Sequence, residues 1–515
     1  MKSLKKLSNN KNPDVLNFLA NLSNDQVFTP TKIAKRVIDE LPKHIWTDPN
    51  LKILDPVCKT GVFLREASKR LNEGLKDKFK NEAQRIKHIL TNQIYGIATT
   101  EITSLIARRS IYYSVNANGK HSVCKSFEND NGNITFNNSE HEWSGQNCKF
   151  CGASKLVWER DDSLEKYASE FIHTNNPENL FPNMKFDVII GNPPYQLSDG
   201  GHSRSASTIY HLFIENAKKL NPRFLTMIVP SRWFVGGKGL DGFRNNMLKD
   251  RRIKKIVDFE NSNQVFQGPD ITGGVNYFLW DRDYNGKCEF VSVRNDREVS
   301  VQRYLDEYEI LIRDANAISI LKKIDECYIN NNTKLSSFVS PRKPFNLPTN
   351  YLPKQNGVPC WFIQKIGLKF ANKTDITDNN NFTNKWKLLI PKAPIAGQTD
   401  FSKPVGFYYH GNVIIAKPGE ICTESWIVAG AFDTEKETKY FRSYLFTKII
   451  RFLLLQAVIS QDVTRKNFMF VPHLGKYDRN YTDDFLIKEW QINDEDWKYI
   501  DSRITLISDD QKSIS

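Results

Sequence analysis

No stretch of this chain is long and apolar enough to span a bilayer. The longest apolar run, Tyr444 to Ile459, is interrupted by Lys448 and Arg451, whereas a membrane helix needs about 20 predominantly apolar residues; the run predicts a core helix. The basic start, Met1 to Lys11, has no apolar segment behind it, so no secretory leader is expected. Cysteine is scarce, eight in 515 residues and mostly scattered, which excludes a disulfide scaffold and suits a reducing cytoplasm. There is no internal repeat, which excludes a solenoid. Acidic residues are the minority, 59 against 72 Lys and Arg, for a net charge of +13, and a polyanion is the partner that best explains the surplus. What remains is 40% apolar and 12% aromatic, a globular chain with room for about two to four domains.

One short stretch organises the rest. Phe186-Asp187-Val188-Ile189-Ile190-Gly191 is apolar and β-branched and reads as a buried strand. Asn192-Pro193-Pro194-Tyr195 stops it: neither proline can donate to a sheet ladder, and Pro194 keeps Pro193 out of the helical region. The expected result is a stiff, extended turn at a strand's carboxyl end, where open α/β sheets bind ligands. The Asn192 amide oxygen and the Pro193 carbonyl offer two acceptors for the N–H bonds of an exocyclic amine. Tyr195 offers a face for a flat heterocycle. The same residues would also serve as a plain strand-ending turn with a buried tyrosine.

Upstream, Val27-Phe28-Thr29-Pro30-Thr31 leads into Ile33, Ala34, Val37, Ile38 and Leu41 at helical spacing. Thr29 reads as an N-cap with Pro30 at the first helical position, an end that presents free N–H groups to a carboxylate. Leu51 to Phe63 reads as strand, tight turn and helix start, the nucleotide-binding arrangement of doubly wound sheets. Asp55 puts a carboxylate at that strand's end, and Gly61 lets a ligand approach the backbone. Ile94 to Ile97 is a second strand. Glu101, the next acidic residue, either takes ribose hydroxyls or is simply a charge at a helix N-terminus.

Between residues 111 and 157 the composition turns to Asn, Ser, Gly and Glu, the mark of an insertion. It holds His121 and Cys124, then Cys148 and Cys151, each pair with a two-residue gap. That is the knuckle spacing of a zinc site, with His141 as the alternative to His121. A small polar insert lacks a core, so a metal would supply its folding free energy. Four protein ligands leave no open position, which predicts a structural ion.

Glu170 to Thr174 reads as another short strand, with His173 either near a bound base or structural. Gln196 to Ser205 is a polar, glycine-rich loop. Helical patterns at Leu212 to Leu220 and Phe243 to Met247 alternate with strands at Leu225 to Pro230, Ile253 to Phe259 and Asn276 to Trp280. This describes a mostly parallel sheet with an antiparallel edge. Beyond about residue 290 the alternation fades into an α+β domain, with linker-like composition near Asp281 to Asn285 and Asn330 to Asn332. Ser460 to Phe468 is a polar, basic loop, fit for phosphate or base contacts or merely solvated.

Phe28-Thr29-Pro30, then Asp55-Pro56 with Gly61, then Asn192-Pro193-Pro194-Tyr195, followed by a large basic domain, together resemble the gamma-class N6-adenine DNA methyltransferases. More closely, the chain looks like the methylase component of type II-G and type III-like restriction–modification systems. The resemblance implies an α/β fold: a Rossmann-like methyltransferase sheet over residues 25–290 with the zinc-knuckle insertion, after a basic lead-in at 1–24. A C-terminal α+β target-recognition domain would occupy residues 291–515. It further implies S-adenosyl-L-methionine as methyl donor, double-stranded DNA as partner, and transfer to adenine N6 of a flipped base. No convincing Pro-Asp…Glu-x-Lys nuclease constellation is present, so cleavage would need a separate endonuclease or helicase subunit.

Carried over residue by residue, Phe28, Thr29 and Pro30 would contact the methionine part of the cofactor. Asp55, Gly61 and Phe63 would line its amino and carboxylate end, and Glu101 its ribose. Asn192 and Pro193 would hold the N6 amine beside the cofactor, Pro194 would stiffen the turn, and Tyr195 would stack on the base. Lys59 stands where the family's first motif has glycine, Ala98 where it has the acidic ribose ligand, and His173-Thr174 where an aspartate reads the cofactor adenine. Two other readings stay open: a DNA-binding specificity subunit with an inactive methylase fold, and a methyltransferase acting on RNA or protein glutamine.

Overall fold

The computed structural model describes residues 27–507 apart from 138, 156–168, 197–207, 238, 267–270, 272, 295–296, 328–332, 364, 396–397, 399, 402, 408, 410–411 and 459–461. The basic lead-in, most of the Gln196 to Ser205 loop, the linker-like Asn330 to Asn332 and residues Ser460 and Gln461 lie outside the described residues. The chain divides into two compact units, Met1–Val293 with Ser300–Glu309, and Arg294–Val299 with Ile310–Ser515.

In chain order the strands of the first unit begin with β1 (Ile53–Cys58), β2 (Ile94–Ala98) and β3 (Ile134–Thr135). A separate hairpin follows, β4 (Trp143–Ser144) and β5 (Asn147–Cys148). Then come β6 (Val188–Gly191), β7 (Phe224–Pro230), β8 (Ile253–Phe259), β9 (Val275–Asp281), β10 (Cys288–Arg294) and β11 (Arg297–Arg303), of which Arg294 and Arg297–Val299 fall to the second unit. Its helices include α1 (Thr31–Asp39), α2 (Val62–Gly74), α3 (Glu82–Asn92), α4 (Glu101–Tyr112), α5 (Tyr210–Lys219) and α6 (Asp241–Lys249). Among the described residues nine strands form one sheet in the order β3-β2-β1-β6-β7-β9-β8-β10-β11. β1, β6 and β7 are buried along their whole lengths, the state of parallel strands covered on both faces. β1 pairs in parallel with β2 on one side and with β6 on the other, and β6 pairs in parallel with β7. Chain order reverses between β1 and β6, so their carboxyl ends open the crevice of a topological switch point.

Three local expectations are corrected. The antiparallel strand is not an edge: β9 lies between β7 and β8, antiparallel to both. Its residues Val275 to Trp280 are buried, so the run needs cover on both faces, a need that fixes burial and not position. Glu170 to Thr174 is not a strand, because the N–H groups of Ile172 and His173 turn back to the Ser169 carbonyl at 3.0 and 3.1 Å. Pro30 is itself the N-cap of α1, with φ −61° and ψ 146°, and Thr31 is the first helical residue. That leaves the Thr29 hydroxyl for another partner.

The second unit carries helix α7 (Ala315–Cys327) and strands β12 (Val358–Trp361), β13 (Leu368–Ala371), β14 (Trp386–Pro391), β15 (Ile414–Ala416), β16 (Ile421–Cys422) and β17 (Trp426–Phe432). Among the described residues they form two three-stranded sheets, β13-β12-β16 and β15-β14-β17. The sheets share a core that includes Phe345, Cys360, Phe362, Leu389, Trp426 and Val428. The apolar run from Tyr444 is two helices and not one, α8 (Glu435–Phe446) and α9 (Lys448–Leu455). Thr447, at ψ 150°, breaks them apart and caps α9 by accepting the Ile450 N–H. No helix among the described residues is long and apolar enough to cross a membrane.

Candidate active site

Two corners meet at the switch point. After β6, Asn192, Pro193, Pro194 and Tyr195 are all buried. Gly191 allows the corner to sit against β1: a Cβ there would lie 2.6 Å from Val57 Cγ2 and 3.0 Å from Asp55 Oδ1. Asn192 is held by its nitrogen. Nδ2 donates to the Val27 carbonyl at 3.0 Å and to the Thr29 hydroxyl at 3.1 Å. A carbonyl only accepts, so the amide's orientation is fixed and Oδ1 faces the other way. That oxygen is buried and has no hydrogen-bond partner among the described residues. Tyr195 is 6% exposed, and its hydroxyl is likewise buried and unbonded among those residues. Burial, with Tyr210 close by, pushes its phenol well above the ordinary value. The Tyr195 carbonyl accepts the Ile209 N–H at 3.2 Å, which ties the corner to the start of α5.

The other side of the crevice is charged, and its acid is not at the strand's end as expected: Asp55 lies within β1, paired with Gly96, and the turn follows three residues later. Asp55 is 2% exposed and accepts the Val57 N–H at 3.0 Å. Burial raises its carboxyl to about 7, against the opposing pull of that N–H and of Lys59. Lys59 is buried and donates to the Val27 carbonyl at 3.2 Å. Thus one carbonyl serves both the lysine of this corner and the asparagine of the other. Gly61 caps α2 at φ +70°, and a Cβ there would stand 3.0 to 3.2 Å from Ile111 and the Ala107 backbone of α4. Phe63 is buried on α2, Thr29 is buried beside Asn192, and Phe28 is half-buried. Glu101 is exposed in the first turn of α4, where Thr100 and Thr103 form a capping box. The structure therefore brings together Val27, Thr29, Asp55, Lys59, Gly191 and Asn192. Sequence reading missed Val27, because a backbone carbonyl has no residue signature.

At the insertion the structure groups a different set of side chains from the His121, Cys124, Cys148 and Cys151 expected, and takes up the alternative His141. Among the described residues, His141, Cys148, Cys151 and His173 bring one ligand atom each within 4.8 Å of one another. His121 is exposed and Cys124 lies near Tyr112, and neither joins the group. The hairpin places His141 next to the second cysteine pair, and a residue beyond the insertion supplies the fourth side chain. Burial pushes the Cys151 thiol up to about 12, and burial together with His173 pulls His141 down to about 4.

A parallel switch point carrying a buried carboxylate on one side and a clamped amide on the other is the ligand-binding crevice of a doubly wound α/β domain. The family model for Eco57I restriction-modification methylase matches residues 92–266, a span that holds Asn192 to Tyr195 and omits Phe28 to Gly61. An uncharacterized adenine-specific methylase of Mycoplasma pneumoniae is 39% identical over 300 residues, 53% of this chain and 71% of its own length. The type II restriction enzyme and methyltransferase RM.Eco57I of Escherichia coli is 26% identical over 295 residues, 48% of this chain and 27% of its own. Among solved structures, a nuclease-deletion mutant of the Type ISP restriction-modification enzyme LlaGI in complex with a DNA substrate mimic shows 13% identity and a TM-score of 0.46. That match covers 86% of this chain and 46% of the other. The chain belongs to the adenine-specific methylases, and so to the methyltransferases, and its residues 92–266 match the Eco57I restriction-modification methylase model.

Proposed function

We propose that the chain transfers a methyl group from S-adenosylmethionine to the N6 amine of an adenine flipped out of double-stranded DNA. One observation carries the reading: the Asn192 amide is clamped by its nitrogen, and its oxygen is buried and unbonded among the described residues. A buried acceptor left so costs about 1–3 kcal/mol, which an incoming N–H would relieve. Asn192 Oδ1 and the Pro193 carbonyl together accept both N–H bonds of the amine, which draws lone-pair density from the ring towards the nitrogen. Tyr195 supplies the stacking face. Because Asn192 and Tyr195 are 4% and 6% exposed, the base must displace what now covers them.

The family's methyl donor fits the other corner. Asp55 is a buried carboxylate held near half-ionisation at neutral pH, a state that a cationic amine would convert to the anion. Asp55, Gly61 and Phe63 would hold the methionine end, Phe28 to Pro30 would flank it, and Glu101 would take the ribose. When bound, the cofactor supplies a methyl group on sulfonium that an amine can attack directly. Asn192 and Pro193 orient the nucleophile, and no residue of the chain forms a covalent bond.

The second unit, close to the expected residues 291–515, is the proposed target-recognition domain. There the cations of Arg342, Lys343 and Lys392 gather within 4 Å of the buried Glu424, with Arg342 68% and Lys343 48% exposed. Such a face suits phosphate oxygens and base edges. Cleavage then belongs to a separate endonuclease or helicase subunit, and the work is done in the cytoplasm. The net charge of +13 and the adenine-specific relative support a nucleic acid over protein glutamine, and the match to a restriction-modification methylase model supports DNA over RNA. Methylation-sensitive sequencing of DNA from cells expressing the chain tests this: N6-methyladenine at a defined sequence is expected, and unmodified DNA rejects it.

A further inference from the structure

A His and Cys group at the insertion includes none of the residues proposed above for methyl transfer, and its geometry is specific. Four ligands about 2.0–2.3 Å from a tetrahedral centre stand about 3.3–3.8 Å apart, and the four ligand atoms here already lie within 4.8 Å of one another. The hairpin makes three of them neighbours. Trp143 pairs with Cys148, and the Lys149 N–H bonds the Glu142 carbonyl at 2.8 Å. This sets His141 Nδ1 3.5 Å from Cys151 Sγ. Gly152, at φ +74°, turns the chain back so that its N–H meets the Cys148 carbonyl at 3.0 Å. Both cysteines are buried and free, while the residues around them on the hairpin are mostly exposed.

The fourth side chain arrives already oriented. His173 Nδ1 lies 2.8 Å from the Ser169 carbonyl, which only accepts, so Nδ1 carries the proton and Nε2 the lone pair. Nε2 is buried and, among the described residues, has no hydrogen-bond partner. Metal-bound histidines are held in this way, with a carbonyl on the far nitrogen. The His141 and His173 rings meet edge to face, with centroids 5.0 Å apart and planes at 81°.

We propose that His141, Cys148, Cys151 and His173 bind one zinc ion, and that the ion staples the hairpin to the segment leading into β6. That segment is tied in turn to α5. Asn216 Nδ2 donates to the Phe171 carbonyl at 2.7 Å, and the Phe171 and Phe213 rings stack 6.1 Å apart. The zinc thus fastens an insertion without a core of its own to the helix that follows the Asn192 to Tyr195 corner. Its binding free energy becomes folding free energy of the hairpin.

Elemental analysis of the full chain, purified in reducing buffer without chelator, should give about one zinc per chain. Cys148→Ser, Cys151→Ser and His173→Gln should each weaken zinc binding at least about tenfold, while His121→Ala and Cys124→Ser keep it. His173→Cys, which retains a ligand, should restore zinc and so separate ligation from misfolding. Cobalt(II) added to the metal-free chain should give the intense visible bands of a tetrahedral thiolate site, unchanged in His121→Ala. Zinc retained by the Cys148→Ser/Cys151→Ser double variant, or lost from Cys124→Ser, overturns the proposal. So does a wild-type chain that takes up neither zinc nor cobalt.

Discussion

The corner after β6 and the corner after β1 stand side by side in one sheet, yet they are made of different materials. The first has two prolines, no charge, and an amide fixed by two hydrogen bonds. The second turns on a left-handed glycine and carries a buried carboxylate raised to about 7. Stiff covalent geometry and neutral hydrogen bonds do not change with pH near neutrality; the ionisation of a buried acid does. A shared pin joins them, the Val27 carbonyl, which accepts from Asn192 Nδ2 and from Lys59 Nζ. The contrast separates two tasks, presenting acceptors to a substrate amine and matching charge to a cofactor.

The largest effect should come from the neutral corner. Asn192→Ala removes the acceptor and should lower kcat by about 10²–10³-fold or more, with DNA affinity in a gel-shift titration little changed. Thr29→Val removes one of the two acceptors that clamp Nδ2 and should cost about tenfold in kcat. An undiminished rate would show that the clamp does not set the amide's direction. Gly191→Ala tests whether the corners must touch. Its Cβ would meet Val57 Cγ2 at 2.6 Å, so unfolding stability should drop by about 1–3 kcal/mol, recovered in part by adding Val57→Ala.

The smallest effect belongs to the charged corner, and its sign follows from the raised pKa. Between the ordinary 3.8 and about 7 the folded chain holds a proton on Asp55 that the unfolded chain has lost. Stability from this group is therefore greatest at low pH and falls as pH rises through that window. Affinity for the cofactor's cationic amine should move the other way and tighten as pH rises through about 7. Calorimetric titration should show both slopes flattened in Asp55→Asn; unchanged slopes would remove the carboxylate from the cofactor site.

What the sequence made legible was local. Phe186 to Gly191 is apolar enough to be recognised as a buried strand, and two prolines must end it wherever the strand lies. The turn through Gly61 is equally local, whereas Asp55, expected at the strand's end, lies within β1 because the strand runs on through Pro56 to Cys58. What it hid was placement across the chain. Nothing in Val275 to Asp281 says that β9 lies between β7 and β8, since a buried run looks alike in every interior position. The spacing of His121 and Cys124 imitates a ligand pair, while His173, 22 residues beyond Cys151 in the sequence, is brought in by the fold. Thr447 splits the run from Tyr444 because a threonine at ψ 150° both stops one helix and caps the next.

The central claim, that the clamped Asn192 oxygen receives the amine of an extruded adenine, is tested most directly on DNA itself. Duplex DNA is incubated with S-adenosylmethionine carrying a labelled methyl group, hydrolysed, and its bases are identified by mass spectrometry for the wild-type chain and for Asn192→Ala. The account predicts label on adenine N6 with the wild-type chain and, over the same time, at least about a hundredfold less with the variant. Label on another base, or equal label from both proteins, would contradict it.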